Sequence, residues 1–467
     1  MHLGIDLGSG SVKLLLVDKS GGEQEASEGY PIDSPKAGFA ETDPERWLDA
    51  IRSSLSRFPS LGDVRSIGFS GQMHGIVPVS LSEGRAIHPA IIWADSRGKK
   101  YLPRLEGARR LLEEQVLNPP AAGMAATSII WLKEEAPEIY RRADLFLFPK
   151  DYVRWQLTGV AATDYSDASG SLLYDFRSRN WSRELIDFLG LDLKKLPEIR
   201  GAVDQAGEVT EAAASRFGLP SGVPVGVGAA DTPAALFGGD LTREEEVQVS
   251  VGTAAQVSRP LHSLPTFHPS LNHFEGATPE LHYRIAAMLN CGLALEWMRK
   301  SLGYEWKPLY EEIESRELLP PEELMFLPYL SGERTPYMNP EARGAWVGLS
   351  LHHEPVHLAL AAMAGVAASV RLGLETLGTE GVERIRLVGG SARYDYWARL
   401  LASVLNWPLH RSDMTNGSAR GAARTGARAI GEELTFAENF ERIEPLRLSW
   451  IDDYFGRFTE LYKRLYR

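Results

Sequence analysis

The stretch LGIDLGSGSVKLLLVD, Leu3 to Asp18, decides the fold. Two apolar runs rich in Leu, Ile and Val flank a Gly-Ser-Gly-Ser breaker, which is the pattern of two strands joined by a tight turn. The reading is a β-hairpin with one acid, Asp6, near the end of its first strand. Far downstream, EEVQVSVGTAAQVSRP, Glu245 to Pro260, repeats the plan: an apolar strand, Gly with Thr at the turn, then a second strand. Gly8 of the first turn and Gly252 of the second lie 244 positions apart in a chain of 467 residues. A duplicated domain explains that spacing better than one long fold, and the length agrees, because a single core rarely grows beyond about 250–300 residues. The expected division is 1–237 and 238–467, with the boundary and a hinge near Gly238 and Gly239.

Between and after the hairpins, strand and helix signals alternate. DPERWLDAIRSSLSRF predicts a helix, with Asp43 as N-cap and Pro44 in the first turn. VRSIGFSG and AIIWAD read as strands. In the second half, HLALAAMAGVAASVRLGLETLG predicts an Ala- and Gly-rich helix, followed by the strand RIRLVGGSA and a helix from about Tyr394. This alternation predicts an α/β protein built around mixed sheets. With 44% hydrophobic and 24% charged residues the composition is that of a globular protein. The net charge of −12 is interleaved along the chain without a basic block, so nucleic acid is not an expected partner. The single cysteine, Cys291, allows neither an intramolecular disulfide nor a thiolate zinc site. No apolar run approaches the roughly 20 residues of a membrane span, and no charged leader precedes HLGIDLG, so a cytoplasmic location away from membranes is expected.

Three Gly-rich strand ends stand out: DLGSGSVK from Asp6, SVGTAAQ from Ser250 and LVGGSAR from Leu387. Phosphates need close backbone approach and several N–H donors, and glycines at turns supply both. None of the three matches a G-x-x-x-x-G-K-[ST] loop or a dinucleotide fingerprint in its required context. Together they resemble the phosphate-one, phosphate-two and adenosine segments of the actin, hexokinase and chaperone ATPase superfamily. That resemblance implies two ribonuclease-H-like domains with a cleft between them, closing over ATP and Mg²⁺. It implies Asp6 near the metal, Gly8, Ser9, Gly10, Gly252 and Thr253 around the phosphates, and Lys13 and Gly292 among the nucleotide-binding residues. Gly389, Gly390 and Ser391 would then lie at the adenosine.

A second constellation is GFSGQMHGIVPVS, where Gln72, Met73 and His74 form a polar-tipped trio between Gly71 and Gly75 at the end of an apolar strand. Such a placement is unusual without a ligand to contact. GQMHG, AIIWADSR, LFPKDYVRWQLTG, TDYSDASGSLLYD and FLPYLSGERTPYMNPEARGAWVGLS follow one another in the order and spacing of the FGGY family of carbohydrate kinases, most closely its bacterial xylulokinases. The resemblance covers Gly4 to about Gly426. It implies that Gln72, Met73, His74, Trp93 and Thr232 contact a ketose. Asp231, which closes the strand VPVGVGAA, is implied to be the catalytic base and, with Asp6, to stand at the metal. A homodimer is the family's common habit. Three positions depart from the xylulokinase pattern: Thr232 in place of Asn, Ser128 in place of Lys, and Ala364 in place of an acid. GMAATSIIWL and AAMLNCGLALEW also resemble sedoheptulokinases.

Phosphorylating a sugar hydroxyl requires that hydroxyl in line with the γ-phosphate and a carboxylate to accept its proton. Asp231 has that setting, and standing before Thr-Pro it also reads as the N-cap of the helix TPAALFGG. Other polar residues read first as structural: Asp95 and Arg97 as a loop salt bridge, Asp164 and Asp167 as loop-stabilising acids, Lys150 and Asp151 as supports of the cleft, and Trp297 and Trp397 as core. Asn290 reads as a residue that reaches the nucleotide. The expected function is ATP-dependent phosphorylation of a ketose, D-xylulose first, with sedoheptulose or ribulose as alternatives. A non-catalytic actin-like ATPase shares the nucleotide turns but needs no sugar pocket, and the Gln72–His74 trio and the GERTP segment argue against it; a ketose sensor without phosphoryl transfer is not favoured, since the sequence predicts no DNA-binding helix pair and no basic face.

Overall fold

The computed structural model of the chain describes residues 1–466. Strands β1 (His2–Leu7) and β2 (Ser11–Val17) form the predicted hairpin, with Asp6 opposite Lys13. Strand β3 (Glu23–Gly29) extends it antiparallel. On the other side of β1, strand β4 (Ser66–Gly71) pairs parallel, setting Gly4 against Gly68 and Asp6 against Ser70. Strands β5 (Gln205–Glu208), β6 (Pro224–Gly226) and β7 (Ala229–Ala230) complete a seven-stranded sheet of order β5-β6-β4-β1-β2-β3, with β7 also pairing β4. Helix α1 (Pro44–Leu55) covers one face; its N-cap is Asp43, which accepts from Glu45 N–H, as the sequence predicts.

Period-two alternation sorts the strands' side chains. Leu3, Ile5, Leu7, Leu14 and Leu16 join Trp47 and Ile51 of α1 in one core. Leu15 and Val17 point the opposite way. That second face of β1 and β4 therefore carries Gly4, Asp6, Gly68 and Ser70.

Helix α2 (Tyr165–Ser169) and helix α3 (Asp231–Gly238) lie before the second sheet, and α3 follows β7 without a break. The second sheet repeats the first. Strands β8 (Glu246–Val251) and β9 (Ala255–Leu261) form a hairpin, β10 (Asn272–Glu275) and β11 (His282–Met288) extend it antiparallel, and β12 (Arg384–Val388) pairs parallel with β8. Strands β13 (Leu409–Ser412) and β14 (Phe440–Ile443) close the order β10-β11-β9-β8-β12-β13-β14. Each half is thus an antiparallel meander extended by parallel strands, the two ribonuclease-H-like domains of the actin and hexokinase plan. Helix α4 (Gly292–Ser301) and the 23-residue helix α5 (Pro355–Leu377) pack into the second core. By length and composition α5 could cross a membrane, which corrects the expectation of no such run. Of its apolar window, 78% is buried inside the protein. Trp397 is core as expected; Trp297 is not, being 42% exposed and stacked on Trp346.

Helix α6 (Gly417–Ala429) belongs to the second half by position but lies on the first sheet. Its Ala419, Ala423 and Ala427 pack with Leu15 and Val17. The fit depends on missing side chains: a Cβ on Gly68 would land on Ala422 O and 2.7 Å from Thr425 Oγ1, and a Cβ on Gly4 would land on Ala419 O. Helices α3 and α6 cross as closely, since a Cβ on Gly421 would land on Ala234 O and one on Gly238 would lie 2.7 Å from Gly421 N. Gly238 is therefore a close-approach glycine in this structure. The sheets divide between Ala230 and Glu246, but the helices interlock across that division.

Candidate active site

Strand β1 delivers Asp6 on the face that α6 leaves open past its glycine contacts. Ser70, its neighbour on β4, donates to Asp6 Oδ1 at 3.0 Å. Burial pushes the Asp6 carboxyl up to about 6, against the Ser70 hydrogen bond and the Lys13 charge. Asp231 is the first residue of α3. The helix N-cap is Ala230, so the expected capping role falls one residue short; Asp231 Oδ1 accepts Thr232 N–H at 2.6 Å instead. Burial first, and the charge of Asp6 second, push Asp231 up to about 7. Among the described residues no protein donor reaches the second carboxylate oxygen of either acid. Two acids that repel one another, each with a free oxygen, fit a shared divalent cation, which would relieve both.

The raised Asp231 carboxyl makes a thermodynamic prediction. The unfolded value is 3.8 and the folded value about 7, so the folded state holds the proton more tightly and loses stability as pH rises between those values. In metal-free buffer Asp231→Asn should melt several degrees above the parent at pH 8, and that gain should shrink toward pH 5. A variant less stable than the parent at pH 8 in differential scanning calorimetry contradicts this.

Around the pair, the GQMHG trio lies at the end of β4. Gln72 is buried, donates to Gly8 O at 3.3 Å and leaves Oε1 without a partner among the described residues. Met73 is spent on packing, in an apolar cluster with Ala230, Leu236 and the second half's Phe274 and Tyr283. His74 takes φ 71°, the left-handed region that a non-glycine residue occupies only under constraint. Its Nδ1 lies 2.7 Å from Gly170 O, and burial lowers its pKa to about 4. A neutral ring whose Nδ1 donates to a carbonyl keeps a lone pair on Nε2, so it can accept from a hydroxyl. Trp93 stands 45% exposed and donates to Ser9 Oγ at 2.7 Å, tying the AIIWAD loop to the first Gly turn.

The remaining turns converge from the second half. Gly292 and Leu293, at the start of α4, donate to Gly252 O and Thr253 O, both at 2.9 Å. Gly389, at φ 109°, leaves no room for a Cβ against Val251, and Ser391 Oγ donates to Val251 O at 2.8 Å. Gly252, Thr253, Gly292, Gly390 and Ser391 line a cavity of about 310 Å³. An adjoining cavity of about 720 Å³ is lined by Lys13, Gly389 and Gly390, and Lys13 Nζ donates to Asn416 Oδ1 at 2.7 Å. Gly8 and Gly10 stay in the first turn, where Gly8 N–H closes onto Ser11 O at 3.0 Å and Gly10 O accepts from Tyr30 N–H.

Sequence reading missed several groups in this cleft. A small cavity of about 170 Å³ places Asp231 and Thr232 opposite Gln248, Ser250, Gln256 and Ser258. The signal was present: in EVQVSV the polar residues alternate with valines, yet the strand is paired on both sides, so one polar face had to meet something other than core. Trp306, Tyr310 and Tyr394 form a stacked aromatic wall of the 310 Å³ cavity, with Tyr310 and Tyr394 4.7 Å apart. Asn290 does not reach it; its amide is consumed by Gly332 O at 2.6 Å and Ser331 Oγ at 3.0 Å. Asp95 and Arg97 form the expected buried salt bridge, at 2.7 Å. Away from the cleft, Glu323, His352 and His353 cluster at metal-ligating distances. There Ser350 N–H donates to His353 Nδ1 at 3.0 Å, which leaves the ring proton on Nε2, facing Glu323, and no lone pair for a metal.

Comparison with known proteins bears on the whole chain. Residues 1–238 match the N-terminal domain, and residues 247–430 the C-terminal domain, of the FGGY family of carbohydrate kinases. The xylulose kinase of Escherichia coli strain K12 is 32% identical over 485 aligned residues, covering 100% of this chain and 99% of that protein. The xylulose kinase of Lactococcus lactis subsp. lactis strain IL1403 is 33% identical over 443 aligned residues, covering 92% of this chain and 88% of that protein. Among solved structures, a crystal structure of a xyloylose kinase from Brucella ovis superposes with a TM-score of 0.92 at 31% identity, covering 99% of each chain.

Proposed function

Because this chain belongs to the FGGY family of carbohydrate kinases, we propose that it phosphorylates a ketose with ATP, converting D-xylulose to D-xylulose 5-phosphate, with Asp231 as the general base. The observation that carries the reading is the pair of carboxylates, Asp6 on β1 and Asp231 at the head of α3, set where the Gly turns and the GQMHG loop meet. Support for xylulose comes from the relatives that bear that name at about 30% identity across nearly the whole chain.

In this reading Asp231 accepts the proton of the reacting hydroxyl as the bond to phosphorus forms. Thr232 N–H holds one of its oxygens in place, leaving the other toward the cleft. His74 Nε2 accepts from a sugar hydroxyl, and Gln72 and Trp93 border the same space. Asp6 and Asp231 would hold Mg²⁺, which supplies charge neutralisation to the transferring phosphoryl group. Lys13, Ser9, Gly10, Gly252 and Thr253 border the phosphates, and Gly292, Gly389, Gly390 and Ser391 the nucleoside. Closure of the two halves excludes water, a competing acceptor. We place the reaction in the cytoplasm and expect a homodimer in solution.

An ADP-release assay over D-xylulose, D-ribulose, L-ribulose, L-xylulose and sedoheptulose tests this reading. The highest kcat/KM is expected for D-xylulose. No turnover above the sugar-free rate on any of the five removes the ketose reading, and a better kcat/KM for sedoheptulose reassigns the substrate, with Thr232 and Ser128 as the first residues to exchange.

A further inference from the structure

The strand that presents Asp231 is fastened from behind. Ala230 N–H donates to Ser166 Oγ at 2.8 Å. Ser166 Oγ–H donates in turn to Asp164 Oδ2, which also accepts Ser166 N–H at 2.7 Å. Asp164 Oδ1 lies 2.8 Å from Lys150 Nζ, which is shared with Asp151 at 2.6 Å and Asp167 at 3.1 Å. Just upstream, Val227 O accepts from Arg154 at 2.6 Å, and Arg154 pairs with Asp151 at 2.8 Å. Two fixed points, Val227 O and Ala230 N–H, therefore bracket the backbone leading into Asp231, and both run to one ion cluster. All the side chains of that cluster, and Ser166 itself, are fully buried.

A buried cluster of this kind is poor value as a source of stability, because desolvation offsets most of its attraction and well-packed apolar groups would serve as well. Its geometry serves orientation instead. Helix α2 begins with Asp164 as N-cap and ends at Gly170, whose carbonyl receives His74 Nδ1–H at 2.7 Å. One rigid turn thus ties down the peptide before Asp231 at one end and the His74 ring at the other.

We propose that Ser166 is a positioning residue for Asp231, its hydroxyl locking the Ala230 amide so that the carboxylate meets the sugar hydroxyl at a fixed place. The proposal rests on the reading of Asp231 as the base. Ser166→Cys keeps the side-chain volume but replaces a good acceptor with a weak one, and Ser166→Ala removes it. In both variants kcat for the accepted ketose is expected to fall about ten- to a hundredfold, the scale of misplacing a reacting group by a fraction of an ångström to one ångström. KM for ATP should stay within twofold, and the thermal midpoint of Ser166→Cys within a degree or two of the parent. Since Ser166 acts through Asp231, the Asp231→Asn/Ser166→Cys pair should lose nothing beyond Asp231→Asn alone. With Asp231→Asn crippled, a parental kcat in Ser166→Cys, an additive loss in the double variant, or a kcat loss matched by a collapsed midpoint and a raised KM for ATP overturns the positioning role and leaves the base in place. Near-parental turnover in Asp231→Asn removes the base, and the proposal with it.

Discussion

Asp231→Asn will lower kcat by a hundredfold or more while the Kd for ATP stays within about twofold of the parent. The two effects separate because the groups are separate. The aromatic wall and the turns at Gly252 and Gly389 line their cavities without Asp231, which lies in the small cavity beneath β8 and β9. An amide at position 231 keeps the size and one oxygen for the Thr232 N–H, but it cannot take a proton. Stopped or coupled ADP-release kinetics give the turnover, and titration calorimetry gives the affinity. A loss of ATP binding in parallel with turnover would mean that the carboxylate acts through the nucleotide rather than on the sugar. The same variant should be the more stable protein above pH 7 without metal. Activity and stability would then be traded at one atom, as expected of a carboxylate kept in a poorly solvated place for its chemistry.

Gly421→Ala will cost more than about 4 kcal/mol, seen as a fall of about four to eight degrees in the thermal midpoint or as insoluble protein. Helix propensity alone predicts the opposite sign, since Ala is favoured over Gly by about 1 kcal/mol inside a helix. The contact decides: the new methyl would land on the carbonyl of Ala234, and backbone in the middle of a helix cannot move aside cheaply. Gly456 supplies the control. It lies in the helix Ile451–Leu465, where a Cβ would meet nothing within 4 Å among the described residues. Gly456→Ala should therefore raise the midpoint slightly. Equal behaviour of the two variants would show that α3 and α6 are not in hard contact.

What the sequence made legible is what local pattern controls. The hairpins of both halves could be read because alternation of apolar residues around a Gly turn leaves few other structures. Asp231 could be read because a lone charge closes an otherwise apolar strand. Its helix start was misplaced by one residue, since Asp before Thr-Pro satisfies a capping pattern whether or not the chain begins to coil there. Gln248, Ser250 and Gln256 escaped notice because a polar face of a strand reads as solvent-facing until a second domain is known to stand over it. Lys150, Asp164 and Asp167 were legible as structural acids and a base, but not as one cluster, because nothing in the order of residues says that the helix Pro149–Thr158 lies behind α2. The partner of GSARGAARTGARA was equally hidden: its small residues announce close packing, and only the glycines of a sheet some 350–415 positions away say against what.

Helix α6 also sets a clock on biosynthesis. The last strand of the first sheet ends at Ala230 and its cover begins at Gly417. At about 5–20 residues per second on the ribosome, that face, with Gly4, Gly68, Leu15 and Val17 upon it, waits roughly ten to forty seconds for the helix that seals it. During that interval the nascent first half exposes an apolar, side-chain-poor strip, the surface that holdase chaperones and neighbouring polysomes meet first. Emergence of α6, rather than emergence of the first half, is then the point at which this face becomes safe from aggregation.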